Sequence, residues 1–368
     1  MKISNLLTVL LLVKASIQTW NINSPTIING PFTVPDGDVY VNTVLSIWNN
    51  EKTQFTGPVL NGGQLFVTTD EPMSSFELST VDLGNSGIVC FNASQIASSP
   101  KFTFTGQIFS DYQSTFVIAE KSLLPSIISV ETLSTTTGNF IFYQDYLPLG
   151  EITIKNFDLG AGNCYFYNLN YTQLGDLDFY GCIHIQGSST VYLSSGYAVT
   201  NFYLDGPDAR LVSLNITAPQ VYIVNGFGNG NMISLNDQTG ENVEILHFSY
   251  TNGVLTLYSS FNVSTQAYTS PQSFNIGPNY IETGFQLSST GISYPDPAPN
   301  PWLAPCISHT PFPVAPTFPP SSSIPISTTT SLSESLLSSS SSAISTSATI
   351  SSSSAASSSS AASSSSAA

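Results

Sequence analysis

Charge is the scarcest feature of this 368-residue chain. Only 8% of it is Asp, Glu, Lys or Arg, against roughly 25% in an ordinary soluble domain. Seven residues are Lys or Arg and 23 are Asp or Glu. A chain so poor in basic side chains has no footprint with which to neutralise phosphate, which excludes nucleic acid and disfavours an anionic membrane. No apolar run approaches the ~20 residues needed to cross a bilayer as a helix, so no transmembrane helix is expected. No stretch carries sustained helical periodicity. The sequence also has no P-loop, no H-E-x-x-H, no G-x-S-x-G before a helix and no C-x-x-C. With His184, His247 and His309 scattered, neither a zinc site nor any other metal or cofactor site is indicated.

Asn, Ser, Thr and Tyr supply the polar surface instead. Lys2 followed by the apolar run Leu6–Val13 has the form of a secretory signal occupying residues 1–19, with cleavage expected between Ala15 and Trp20. Its removal leaves five of the seven basic residues against 23 acidic ones, a net charge of −18. Export agrees with four N-glycosylation sequons, at Asn92, Asn170, Asn215 and Asn262, whose sugars would sit on the surface.

The body of the chain is written in short runs of bulky and polar residues bounded by Gly, Asn, Asp or Ser, the mark of strands with a buried face. Gly160–Ser195 shows the unit: Cys164-Tyr-Phe-Tyr, then Cys182-Ile-His-Ile, then Thr190-Val-Tyr-Leu. A loose Gly-x-bulky-bulky start recurs at Gly63, Gly87, Gly106, Gly138, Gly162 and Gly181, at intervals of 24, 19, 32, 24 and 19. Repetition on this scale points to stacked coils, a parallel β-solenoid over residues 20–206, with Trp20–Pro35 as a cap. A plain antiparallel sandwich is the competing all-β reading. Cys164 and Cys182 occupy equivalent places in successive runs, 18 residues apart, so stacking would bring them within disulfide reach. Four cysteines allow three connectivities, and the pairing of Cys90 and Cys306 stays open.

After Pro207 the texture changes. Thr251-Asn-Gly253 is a type I′ hairpin signal, and residues 207–294 read as a small antiparallel sandwich. Residues 295–320 form a Pro-rich linker that should run extended. Residues 321–368 are Ser, Ala and Thr with too little apolar surface to fold, a disordered stalk suited to O-glycosylation.

Catalysis on a solenoid would need converging carboxylates. The candidate pairs are Asp36/Asp38, Asp70/Glu71, Asp176/Asp178 and Asp205/Asp208. Each lies where acidic residues serve turns, so no catalytic residue is assigned. Gly226-Phe-Gly-Asn-Gly-Asn231 lacks the third glycine and the following helix of a dinucleotide loop, and reads as a turn.

That hexapeptide, preceded by Val221-Tyr-Ile-Val and followed by Phe248-Ser-Tyr250, Gly253-Val-Leu-Thr-Leu257, Phe274-Asn-Ile-Gly277, Tyr280 and Phe285, resembles the hyphally regulated cell wall protein N-terminal domain of yeast surface proteins. Cys164 and Cys182 look like a family pair upstream of it. The resemblance implies a right-handed parallel β-helix and a small crystallin-like β-sandwich, displayed at the fungal cell wall as a mannoprotein with a part in adhesion or wall structure. Its partner would be a wall polysaccharide or a host or abiotic surface. It implies no enzyme; a secreted polysaccharide-active β-helix enzyme is the alternative. Family members carry a C-terminal apolar tail for a GPI anchor. Ser363–Ala368 contains no such tail, which leaves two expectations open: a longer chain whose anchor signal lies beyond Ala368, or a form secreted unattached.

Overall fold

The computed structural model describes residues 19–299 and Cys306, with gaps at 112, 123, 146–148, 178–179, 195–199, 215–217, 237–242 and 261–268. Its strands form two long sheets, one of 15 strands (sheet I) and one of 13 (sheet II). The chain visits them alternately. Asn139–Gln144 lies in sheet II, Gly150–Asp158 in sheet I, Asn163–Tyr167 in sheet II, Leu169–Thr172 in sheet I and Cys182–Gln186 in sheet II. Each strand pairs in parallel with its counterpart one coil earlier. This is a β-solenoid. The described residues contain one 3-10 turn, Glu282–Gly284, and no α-helix.

Side chains stack in columns along the coil axis because the register is in step from coil to coil. One inner column of sheet II runs Val89, Phe116, Phe140, Cys164, Ile183, Phe202, all buried. Its neighbour contains Phe91, Ile118, Phe142, Phe166 and Ile185. Edge-on and offset ring contacts tie these rows together: Phe116 meets Phe140 at 5.8 Å and Phe142 meets Phe166 at 5.8 Å. Each such ring contributes about 1.5–3 kcal/mol on burial. Stacked coils share that gain, and no single coil could bury its own face.

The recurring glycines mark the corner that leads into sheet II. A Cβ on Gly87 would lie 2.0 Å from the carbonyl oxygen of Gly63, one on Gly162 2.3 Å from that of Gly138, and one on Gly181 2.1 Å from that of Gly162. Only glycine lets consecutive coils approach so closely there. Gly106 is not part of this column; it lies within the sheet I strand Lys101–Ser110.

Two boundaries differ from the sequence reading. Trp20–Pro35 is no cap: Thr19–Ile22 and Thr26–Asn29 are rungs of the two sheets, paired in parallel with Asp38–Val41 and Val44–Trp48. Nor does the solenoid stop at 206. Parallel pairing continues through Arg210–Ser213, Gln220–Asn225 and Met232–Leu235, and Gln220–Asn225 pairs in parallel with Gln272–Asn275. Among the described residues antiparallel pairing is confined to two patches, in which Val254–Ser259 pairs with Ile245–Thr251 and Gln272–Asn275, and Ile292–Ser293 with Met232–Leu235 and Gln286–Leu287. The bulky runs after 207 extend existing ladders, and propensity does not tell a parallel from an antiparallel neighbour.

The hairpin at Asn252-Gly253 is present, with φ of 53° and 85° and Thr251 facing Val254. The glycine hexapeptide is a turn with positive φ at Gly226, Asn229 and Gly230. Asn231 clamps it: its Nδ2 donates to the Gly226 carbonyl at 2.9 Å and its Oδ1 accepts from the Gly228 N–H at 3.0 Å. Phe227 is thereby pressed among Tyr280 and Phe285.

Candidate functional site

The outward faces of the two sheets differ in kind. On sheet I, Lys101–Ser110 and Gly150–Asp158 alternate buried and open positions, and the outward row holds Lys101, Thr103, Glu151, Thr153 and Lys155. Lys155 pairs with Glu131 and Lys101 with Glu77, both in the open. On sheet II the outward column running through Phe66, Cys90, Val117, Ile141, Tyr165, His184, Tyr203 and Asn225 is shut off from solvent: exposure is 0% at Cys90, 5% at Val117, 2% at Ile141 and 0% at His184. A strand buried on both faces needs a continuous apolar run. Phe116-Val-Ile-Ala119 and Phe140-Ile-Phe-Tyr143 are such runs.

This column explains the disulfide. Cys182 bonds to Cys306, with Cα atoms 5.4 Å apart, while Cys164 and Cys90 are free and buried. The Cys164–Cys182 pairing expected from the sequence is therefore corrected. In the ladder Asn163, not Cys164, faces Cys182, and Cys164 faces Ile183. A one-residue offset reverses the side chain, so Cys164 points into the coil and Cys182 out of it. Cys306 lies against the outer face of sheet II, in one cluster with Cys182 and Tyr203, and Asn225 Nδ2 contacts its sulfur at 3.6 Å. Burial pushes the Cys90 thiol up to about 12 and the Cys164 thiol well above its usual range, so neither is a thiolate nucleophile.

His184 is stacked at 4.2 Å on Tyr165, and its Nε2 lies 3.4 Å from Asn163 Oδ1. Burial lowers its pKa to about 4, so it is neutral at ordinary pH. Among the carboxylates the displaced titration is that of Glu120, fully buried at the end of strand Thr115–Lys121. Burial raises its pKa to about 7, with Asp145 adding to the rise, against hydrogen bonds from the Ser122 N–H and hydroxyl that favour the anion. Sequence reading passed over Glu120. Its signal was an acidic residue closing a run of five buried positions.

None of the acidic pairs that lie wholly among the described residues forms a catalytic set. Asp36 accepts from Thr56 Oγ1, Asp70 accepts from Asn49 Nδ2, and Asp205 accepts from Gln186 Nε2. These are coil-to-coil tethers. Asp38 is half-buried on strand Asp38–Val41, Glu71 and Asp208 are exposed, as is Asp176, and Asp178 lies outside the described residues. Two open hollows of about 490 and 510 Å³ flank the coil; one is lined by Phe32, Glu51 and Lys52 among others, the second by Met73, Ile96 and Lys121, and neither holds two carboxylates. No group of three His, Cys, Asp or Glu side chains suited to a metal occurs among the described residues. No helix among them is long and apolar enough to cross a membrane.

The sequons part company as well. Asn92 is on the covered face of sheet II, 7% exposed. Asn170 is half-buried on the sheet I strand Leu169–Thr172. Asn215 and Asn262 lie outside the described residues.

Fold and surface together define a disulfide-closed β-solenoid that gathers no catalytic constellation among its described residues. Comparison with known proteins gives the family. The profile for the hyphally regulated cell wall protein N-terminal domain matches residues 9–316, and the chain belongs to that family. Similar curated proteins of Candida albicans are cell wall protein RBR3, 28% identical over 78% of this chain and 20% of its own length, and hyphally regulated cell wall protein 3, 28% identical over 78% and 25%. Cell wall protein IFF7 is 25% identical over 79% of this chain and 44% of its own length. The chain thus spans less than half the length of these relatives. The membership places it outside the cell, in the wall.

Proposed function

We infer that the chain is the non-enzymatic head of a fungal cell-wall mannoprotein, acting in adhesion or in the architecture of the wall. The observation that carries this reading is the family match, which spans the whole described solenoid. The scatter of the carboxylates supports it, since the polysaccharide-cleaving alternative needs two of them facing one groove. Contact with a wall polysaccharide or a host or abiotic surface would use the open, hydroxyl-rich face of sheet I. We read the coil as right-handed, the hand taken by parallel crossover connections. The antiparallel patches around Tyr250 and Tyr280 are read as the small crystallin-like sandwich, and the Ser-rich region from Ser321 as a glycosylated stalk. Asn170, Asn215 and Asn262 are the sequons proposed to carry glycans.

Display of the full chain on a non-adherent yeast tests this. Attachment to wall glucan, epithelial cells or plastic should rise, or resistance of the wall to lytic enzymes should change. Release of new reducing ends from a purified polysaccharide, abolished by neutralising a carboxylate pair, would overturn the non-enzymatic reading.

A further inference from the structure

On the open face of sheet I one row of hydroxyls runs from coil to coil without a break. Ser79 pairs with Thr103, Thr103 with Ser129 and Ser129 with Thr153. Thr172 continues the row in step, since Tyr171 before it pairs with Ile152, and Tyr192 follows opposite Thr172. Alternation with buried neighbours turns each of these side chains outward. We propose that this row binds an uncharged, extended β-1,4-linked glycan laid along the coil axis, one sugar to a coil. The inference rests on the functional reading above and names the ligand class for the same face.

Three observations favour such a ligand. The hydroxyls of Ser79, Thr103, Ser129, Thr153 and Thr172 are unused: none bonds to another described group of the chain. Elsewhere Thr56 donates to Asp36 and Thr69 to the Ser94 carbonyl. The charges beside the row largely cancel, Lys101 pairing with Glu77 and Lys155 with Glu131, which leaves Glu151. In a chain of net charge −16 that balance suits an uncharged partner and repels a polyanion. The row is also regular. Ser79 to Thr172 is four strand spacings, about 19 Å at ~4.8 Å each. An extended β-1,4 chain advances by nearly the same step per sugar, so successive sugars meet successive rungs. A β-1,3 chain coils and falls out of step. Tyr192, half-buried at the end of the row, offers a ring with one apolar face and a polar tip.

Hydrogen bonds in the open are each weak in water, so affinity must come from repetition. The probes are uncharged N-acetylchito- and cello-oligosaccharides, offered to the secreted full chain. At least one series should bind about tenfold or more tighter as the hexamer than as the dimer. Thr103→Ala, Ser129→Ala and Thr153→Ala together should weaken that hexamer about tenfold or more. Thr251→Ala, which removes an exposed hydroxyl from sheet II, should leave it unchanged. Acetylation of amines on the unsubstituted chain keeps the test independent of how the triple variant folds. Bound hexamer should slow the modification of Lys101 and Lys155, which flank the row, and leave Lys121 as it was. The proposal is overturned if neither hexamer binds tighter than its dimer, if laminarihexaose binds as well, or if Lys101 and Lys155 gain no protection. It is overturned too if binding appears only after N-glycans are removed, because Asn170 stands two residues from Thr172 and its own sugar would then cover the row. Each of these outcomes leaves the adhesion reading standing, which fails separately if display of the chain changes neither attachment nor the wall.

Discussion

Sheets I and II are made by the same coils, yet sheet I opens its outer face to water where sheet II closes a central column of its own. The outward row of sheet I is mostly Lys, Thr and Glu, largely alternating with the core. The outward row of sheet II is Cys, Val, Ile and Tyr and is closed. The lesson is that solenoid coils are not obliged to treat their faces alike: a coil-to-coil ladder fixes the stacking, and composition then decides which face is left for contact with the outside.

The largest test of that asymmetry is a charge placed on each face. Ile141→Asp on sheet II should cost at least about 3 kcal/mol in urea unfolding, since the carboxylate is buried without a partner. Thr153→Asp on sheet I should change stability by less than about 0.5 kcal/mol. Equal effects would abolish the distinction between the faces. Next in size is loss of the bridge. Cys182→Ser should cost about 2–5 kcal/mol, because Cys182–Cys306 closes a loop of 124 residues, whereas Cys164→Ala removes only one buried sulfur and should cost less.

A third prediction concerns pH. Glu120 has its pKa raised from 4.5 to about 7, so its contribution to stability is complete below about pH 4.5 and is lost as pH rises through 7. His184, lowered from 6.5 to about 4, contributes fully above about 6.5 and loses that as pH falls through 4. The two slopes oppose each other between 4.5 and 6.5. Glu120→Gln should therefore unmask a stability that rises with pH over 4–6.5, and His184→Gln one that falls over 4.5–7, each on the order of 3 kcal/mol. A flat profile in both variants would show that neither group titrates as its burial implies. The smallest effect is on glycan occupancy: tryptic mapping should find Asn92, on the closed face, bare, and Asn170, on sheet I, modified.

Much of this was legible in the residues. The glycines at Gly63, Gly87, Gly138, Gly162 and Gly181 announced the coil corner because only a missing Cβ admits the carbonyl of the coil before. The Asn252-Gly253 turn was equally plain. The cysteine pairing was not, because spacing reports which coil a residue occupies and says nothing of which way it points; one residue of register separates Cys164 inside from Cys182 outside. The solenoid's end was misplaced for a related reason, as strands such as Gln220–Asn225 look alike whichever direction their neighbour runs. The closed face of sheet II did have a signature. Thr115-Phe-Val-Ile-Ala119 is unbroken where Lys101-Phe-Thr-Phe-Thr105 alternates, and the difference between the two patterns is the difference between a layer and a surface.

Cys182–Cys306 also decides how the head would bear a tug. Tension applied to the chain beyond Cys306 crosses the sulfur bridge and enters the coil stack at Cys182. Residues 183–305, with the hairpin at Asn252-Gly253 and the aromatic cluster around Tyr280, form a slack covalent bight that carries none of it. The later coils and the antiparallel patches are thereby taken out of the covalent line of force, and the coils before Cys182 take the strain.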